Sequence, residues 1–408
     1  MIDGVIPEKV NYEDLLPSAL EGEEIERRAG EAAAFAFHPG DTLKDGRYRP
    51  FRKIGEGQYS TVWLARDEEE NRYVAIKIGL TWEADEESNE ISSLKLLREN
   101  PIPDHPALHH VVELLDDFVH AGPNGSHTCL VIQPLGRDVE TALSYDCESN
   151  TPAPYPFTRR ISIQTLQALD YLHQHSIMHG DLHPANIALA LTHDINKDSE
   201  DEIQAKNERG IELNYRDDVH WLDDGIVVPK SDPEDANAVL IDLGASTHPA
   251  DERSLDYAYP TPYRAPEVVM ETGNVTCKAD IWALGCVIFR IVTHYPLFAP
   301  EYWGSYDEMN IEHIHMIVER LGAVPASLRS AWEDADKYLT PDGQMKEPYP
   351  EDQRERPLVE QIVHNKPSGM GEEELKAFVE FMSSMIRFEP SERSSTHDLL
   401  QHRWVTAL

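Results

Sequence analysis

Three scarcities narrow the reading of this 408-residue chain before any motif is considered. Cysteine is one: Cys129, Cys147, Cys277 and Cys286 are widely spaced and form no CxxC pair, which excludes a disulfide framework and a zinc site and fits a reducing compartment. Long apolar runs are another. The longest spans Ile281 to Val292 and is interrupted by Arg290, well short of the ~20 residues that cross a bilayer. The opening MIDGVIPEKVNYEDLL lacks the basic and apolar regions of a signal peptide, so we expect a soluble protein of the cytoplasm, the nucleus or both, without membrane association. The third scarcity is positive charge. With 36 Lys and Arg against 74 Asp and Glu, the formal net charge is −38, which excludes a nucleic-acid binder working through a broad basic face. A basic partner is the natural complement, and solvated surface acid is the plain alternative.

What is present suffices for a large core, since 40% of residues are hydrophobic. Residues 1–45 show mixed charge without sustained periodicity and read as an N-terminal arm, with order beginning near Asp45. From 46 to 138 short β-type runs dominate (YRPFRKIG, STVWLARD, RYVAIKIG and later TCLVIQPLG), with one helical stretch near Glu83 to Arg98. From 139 to 408 the pattern turns helical. Ile161, Thr165, Leu169 and Leu172 recur at helical spacing, and Ala279 to Val292 is a strongly apolar helix. The expected class is α+β, a small strand-rich lobe followed by a larger, mostly helical one. Within the second lobe, 191–237 breaks the helical pattern; Ile187 to Asn237 carries 14 acids against 5 bases and reads as an inserted, solvated excursion.

Four stretches carry chemistry. In IGEGQYSTVWLA, Gly55 and Gly57 occupy a turn between two strand patterns, where backbone N–H groups can approach phosphate oxygens and the hairpin can cover them. Alone this is an ordinary hairpin turn. It gains meaning from VAIK, in which Lys77 lies in an apolar strand and needs an anionic partner, a nucleotide phosphate or a helix carboxylate. In IMHGDLHPANIALA, Asp181 and Asn186 share a polar loop: Asp can orient a hydroxyl and accept its proton, and Asn offers a hard carbonyl oxygen to Mg²⁺. AVLIDLG then ends an apolar strand in Asp242, a second carboxylate for a metal.

In this order the motifs resemble the eukaryotic protein kinases, over about residues 46 to 408. The match continues through YRAPEV (Ala265, Pro266, Glu267), KADIWALGCVIF with Asp280, and ERSSTHDLLQHRW with Arg393. Arg264 before APE, Ser60 in place of the third loop glycine, DLG for DFG, HPGDTLKDGRY and LFAPEYWGSYDEMNIEHIHMIVERLGAVP are similar to the SR-protein kinases of the CMGC group, here with a short spacer.

The resemblance implies a two-lobed protein kinase fold and an ATP- and Mg²⁺-dependent serine/threonine kinase acting as a monomer on basic arginine/serine-rich proteins, and so on mRNA splicing. It makes Asp181 the catalytic base, Lys77 the α/β-phosphate lysine, and Asn186 and Asp242 the Mg²⁺ ligands. Glu90 in NEISSLKLL would pair with Lys77, with Glu86 and Glu87 as alternatives. Nucleotide would lie against Ile54, Gly55, Glu56, Gly57, Gln58, Tyr59, Ser60, Thr61, Val62, Ala75 and Lys77, and against hinge residues Gln133 and Leu135 after Ile132. Glu312 and Glu319 fall where the family docks its substrates; a third acid of that groove is matched near Tyr295, which is not acidic. Two departures bear on activity. Gly180 replaces the arginine that reads a phosphorylated activation loop, so loop phosphorylation is not expected to switch the protein on. His183 stands in place of a lysine beside the γ-phosphate, as in the HGDLHPAN-like loops of small-molecule phosphotransferases. The competing readings are a pseudokinase or acidic-surface scaffold, and a small-molecule kinase; Tyr257 to Glu267 resembles a peptide-binding segment instead.

Overall fold

A computed structural model describes residues 40–57, 60–79, 88–122, 125–145, 153–203, 237–247, 259–273, 275–300 and 305–407. The expectations for Gln58, Tyr59, Glu86, Glu87, Tyr257, the arm before Gly40 and the insert from 204 to 236 lie outside the described residues.

The N-terminal sheet holds β1 (Tyr48–Glu56), β2 (Ser60–Asp67), β3 (Arg72–Gly79), β4 (Leu114–Gly122) and β5 (Gly125–Ile132), antiparallel in the order β1-β2-β3-β5-β4. Strand β3 is flanked by β2 and β5 and carries Val74, Ala75, Ile76 and Ile78, all buried, so its apolar residues run nearly without alternation. Helix α1 (Asn89–Glu99) begins where the Ser88 hydroxyl accepts the Ile91 N–H, and it buries Ile91, Leu94 and Leu97.

Order reaches further toward the N-terminus than Asp45. Leu43 is 1% exposed and exchanges two backbone hydrogen bonds with Tyr48, across a turn whose Lys44 and Asp45 adopt φ of 48° and 54°. The reason is apolar: Leu43 packs with Tyr48, Val74 and Ile76 in one core cluster.

The run TCLVIQPLG is not one strand. Pro134 has no N–H for a ladder, and the chain leaves the large sheet after Ile132. It resumes as β6 (Leu135–Asp138), which pairs with β7 (Ile187–Ala190), itself paired with β8 (Ala238–Leu240).

The helical part comprises α2 (Val139–Tyr145), α3 (Tyr155–Gln174), α4 (Pro266–Val269), α5 (Cys277–Thr293) and α6 (Tyr306–Leu321), then α7 (Ala326–Ala331), α8 (Ala335–Tyr338), α9 (Leu358–His364), α10 (Glu372–Met385), α11 (Thr396–Leu400) and α12 (Arg403–Thr406). Helix α5 is buried from Ala279 to Thr293 and apolar there apart from Asp280, Arg290 and Thr293. Its Gly285 lets α10 approach, because a Cβ there would meet Ile386 Cδ1 at 2.7 Å. Arg290, the interruption in the long apolar run, is neutralised by Glu140 of α2 at 2.6 Å. Among the described residues no helix is long and apolar enough to cross a membrane.

The described start of the insert, 191–203, is mostly exposed, with two buried anchor points. Ile195 and Ile203 are buried with Leu64 and Tyr73 of the N-terminal sheet. The Tyr73 N–H donates to Asn196 Oδ1 (2.7 Å), the Tyr73 hydroxyl to the Asp198 carbonyl (3.1 Å), and Arg49 pairs with Glu200. Asp198 pairs with His193 and Glu200 with Arg49, while two isoleucines anchor the stretch across the lobes.

Candidate active site

The register places Val62 opposite Lys77 on one side and opposite Gly55 on the other, so the glycine turn and the lysine share one stretch of the sheet. Ala75, 3% exposed, lies on the same strand against Ile132. Gly57 closes the turn with its N–H on the Ser60 carbonyl (2.8 Å). Ile54, Glu56, Ser60, Thr61 and Val62 follow on the two hairpin arms. Gln133 and Leu135 flank Pro134 at the crossing between sheets, where Gln133 Oε1 accepts the Glu113 N–H (2.7 Å).

Lys77 Nζ donates to Glu90 Oε2 at 2.7 Å and to Asp242 Oδ1 at 2.9 Å. Burial alone would lower the lysine pKa, but the two carboxylates reverse this and raise it above the ordinary value. Glu90 shifts upward through burial, against the pull of Lys77. Asp242 shifts downward because Lys77 and the Gly244 N–H outweigh its burial. Asp242 takes φ 58°, the left-handed region, which turns its side chain toward Lys77.

Asp181 lies in the loop after α3, held from several directions. Its N–H donates to His179 Nδ1 (3.2 Å), so His179 Nε2 carries the ring hydrogen and donates to the Ile241 carbonyl (3.1 Å). Asn186 Nδ2 donates to the Asp181 carbonyl (2.8 Å) and to Asp181 Oδ2 (3.1 Å). Asp181 Oδ1 is buried and without a hydrogen-bond partner, as a base awaiting a hydroxyl would be.

Beneath this loop Asp280 accepts four hydrogen bonds: from His179 N (2.9 Å), Gly180 N (3.1 Å), His173 Nε2 (2.9 Å) and the Tyr259 hydroxyl (2.7 Å). Its burial favours the neutral acid, yet these donors hold its pKa below the usual range. His173 and Tyr259 were not singled out in the sequence; a histidine one turn before a loop carries no local signal.

Metal fit can be judged from the oxygens left over. Asn186 spends its amide nitrogen on Asp181, leaving Oδ1, and Asp242 engages Oδ1, leaving Oδ2. Two hard oxygens suit Mg²⁺, which keeps most of its positions for water and phosphate.

His183 Nε2 stands 3.7 Å from Asp181 Oδ2, and its ring lies 6.1 Å from that of Tyr263. Burial lowers its pKa, but Asp181, with Asp242 and Asp138 behind it, more than compensates, and the net shift is upward. Glu312 and Glu319 are half-buried on α6, and Tyr295 is 49% exposed.

A family model of the protein kinase domain matches residues 48–199 and 226–405. The chain belongs to the protein kinase family. It is 28% identical over 423 residues to a serine/threonine-protein kinase SRPK of Physarum polycephalum, covering 96% of this chain and 92% of the relative. It is 25% identical over 462 residues to protein kinase dsk1 of Schizosaccharomyces pombe, covering 90% and 83%. Over a shorter stretch, 38% of this chain and 28% of the relative, it is 38% identical to SRSF protein kinase 3 of Homo sapiens. The kinase is thus a protein serine/threonine kinase resembling the SR-protein kinases of the CMGC group. In this light Glu267 and Arg393, joined by two 2.6 Å hydrogen bonds, tie the end of the activation segment to the helical core.

Proposed function

We propose that this kinase uses ATP and Mg²⁺ to phosphorylate serines in basic, arginine/serine-rich proteins. The observation that carries the reading is the unpartnered Asp181 Oδ1, in a loop tied through His179 to Ile241 beside the Glu90–Lys77–Asp242 network. Lys77 holds nucleotide phosphates, and Glu90 holds Lys77. Asp181 orients the serine hydroxyl and takes its proton as the oxygen bonds to the γ-phosphorus and ADP leaves. Asn186 and Asp242 would hold Mg²⁺, which when bound supplies charge neutralisation to the phosphates. His183 donates a hydrogen bond beside the transferring group and carries charge when protonated.

The substrate side rests on charge. A formal net charge of −38 favours arginine-rich chains as partners, because guanidinium pairs with carboxylates in a bidentate way. Glu312 and Glu319, seven residues apart on α6, would dock such a segment. The relatives named for SRPK and SRSF kinase activity point the same way. We further propose that the protein works as a monomer in the cytoplasm, the nucleus or both.

The test is transfer of labelled phosphate from ATP to an RS-repeat peptide, to a general basic protein, and without substrate. Preference for the RS peptide is expected. Equal labelling of both would remove the substrate assignment, and no magnesium-dependent labelling of either would remove the catalytic one.

A further inference from the structure

Asp242 and Glu90 grip Lys77 from two different elements, the strand-end turn at 242–247 and helix α1. One side-chain contact joins those two elements directly. Ser93 Oγ lies 2.8 Å from Ser246 Oγ, with either hydroxyl able to donate. Ser93 is three residues after Glu90, so both side chains project from one face of α1. Ser246 is 1% exposed and closes a turn with its N–H on the Leu243 carbonyl (3.0 Å). The Leu243 amide in turn donates to Glu90.

We infer that the Ser93–Ser246 hydroxyl pair is a positioning latch that holds α1 against the 242–247 turn and thereby sets the Glu90–Lys77–Asp242 geometry for nucleotide. The same turn is tied on its far side to the loop of Asp181, where Met178 and Thr247 exchange backbone hydrogen bonds of 2.9 and 3.1 Å. The latch therefore completes a chain of contacts from α1 through the turn to the base. Two serines suit this role: each hydroxyl finds its partner in the other, and a buried hydroxyl without one would be costly. Neither residue touches the reacting atoms, so both act through Glu90 and Asp242.

The inference rests on the proposed use of ATP, and its test separates the two. Ser93→Ala, Ser246→Ala and the double variant are compared with wild type for steady-state kinetics with MgATP and a basic protein substrate. They are also compared for amide hydrogen exchange without nucleotide. Loss of one hydrogen bond predicts that kcat/KM for MgATP falls about three- to tenfold in each single variant, with KM for the protein substrate unchanged. The double variant should be no worse than either single one. Exchange should rise across Asn89–Glu99 and 242–247 in both singles and not in α5. Losses that multiply in the double variant, or exchange that rises equally in α5, overturn the latch. A wild type that transfers no phosphate defeats the proposed function, and the exchange data then decide the latch without turnover.

Discussion

Removing Arg393 isolates the energetics of the buried pair that fastens the activation segment. A guanidinium has five N–H donors, and here each meets an acceptor. Nη1 donates to Glu267 Oε1 (2.6 Å) and the Lys278 carbonyl (2.7 Å), and Nη2 to Glu267 Oε2 (2.6 Å) and the Phe388 carbonyl (3.1 Å). Nε donates to the Arg387 carbonyl (2.9 Å). The plane also lies 5.2 Å from the Trp282 ring centroid. Both side chains are shut off from water, at 0% and 1% exposure. Arg393→Met keeps the volume but leaves the Glu267 carboxylate and three carbonyls buried without these donors. Breaking one partner of such a pair costs about 3–5 kcal/mol. For a chain this large, at about 2 °C per kcal/mol, the melting temperature should fall by about 6–10 °C. Replacing both ends, Glu267→Leu with Arg393→Met, removes the unpaired charge and should cost less than Arg393→Met alone. Calorimetry and urea unfolding of wild type, both singles and the double give the coupling energy. A loss below about 1 kcal/mol for Arg393→Met, or a double variant equal to the sum of the singles, would refute the argument.

The other expectations concern the site. Asp181→Ala should abolish transfer while leaving ATP binding near wild type, whereas Asp242→Ala should weaken MgATP binding as well; calorimetric titration beside an activity assay separates the two. Gly180 has φ 80°, and a Cβ there would lie 2.3 Å from the Ala245 carbonyl oxygen, so Gly180→Ala should cost at least tenfold in kcat, while phosphatase treatment of wild type should cost nothing; the converse pair of results would sink the reading. His183 has a raised pKa, so its charge is complete at acid pH and is lost as pH rises through that value; kcat should fall there, and His183→Lys should flatten that limb between about pH 6 and 9. Parallel pH profiles for the two proteins would assign His183 to neutral hydrogen bonding or packing.

The α+β architecture was legible because each lobe has its own pattern, short runs rich in β-branched and aromatic residues in STVWLARD and RYVAIKIG, and a recurrence near four in the helix that carries Ile161, Thr165 and Leu169. Candidate site residues were legible where chemistry is confined to short ordered stretches, and the fold brings Lys77, Glu90 and Asp242 into hydrogen-bonded contact and Asp181 beside Asn186. Legibility stopped at contacts between elements. The acids of 191–203 outnumber its isoleucines, so composition hid that Ile195 and Ile203 are the residues that pack, on a sheet more than a hundred residues earlier in the chain. Ser93 and Ser246 are ordinary serines 153 residues apart, and no local pattern marks either. Gly180 is the intermediate case. As a letter it says that a cation is missing; as a backbone with φ 80° pressed on Ala245 it says that a side chain is excluded. The missing arginine and the tight join between the Asp181 loop and the 242–247 turn are thus one feature: the Met178–Thr247 hydrogen bonds hold across the gap that a side chain would otherwise prop open.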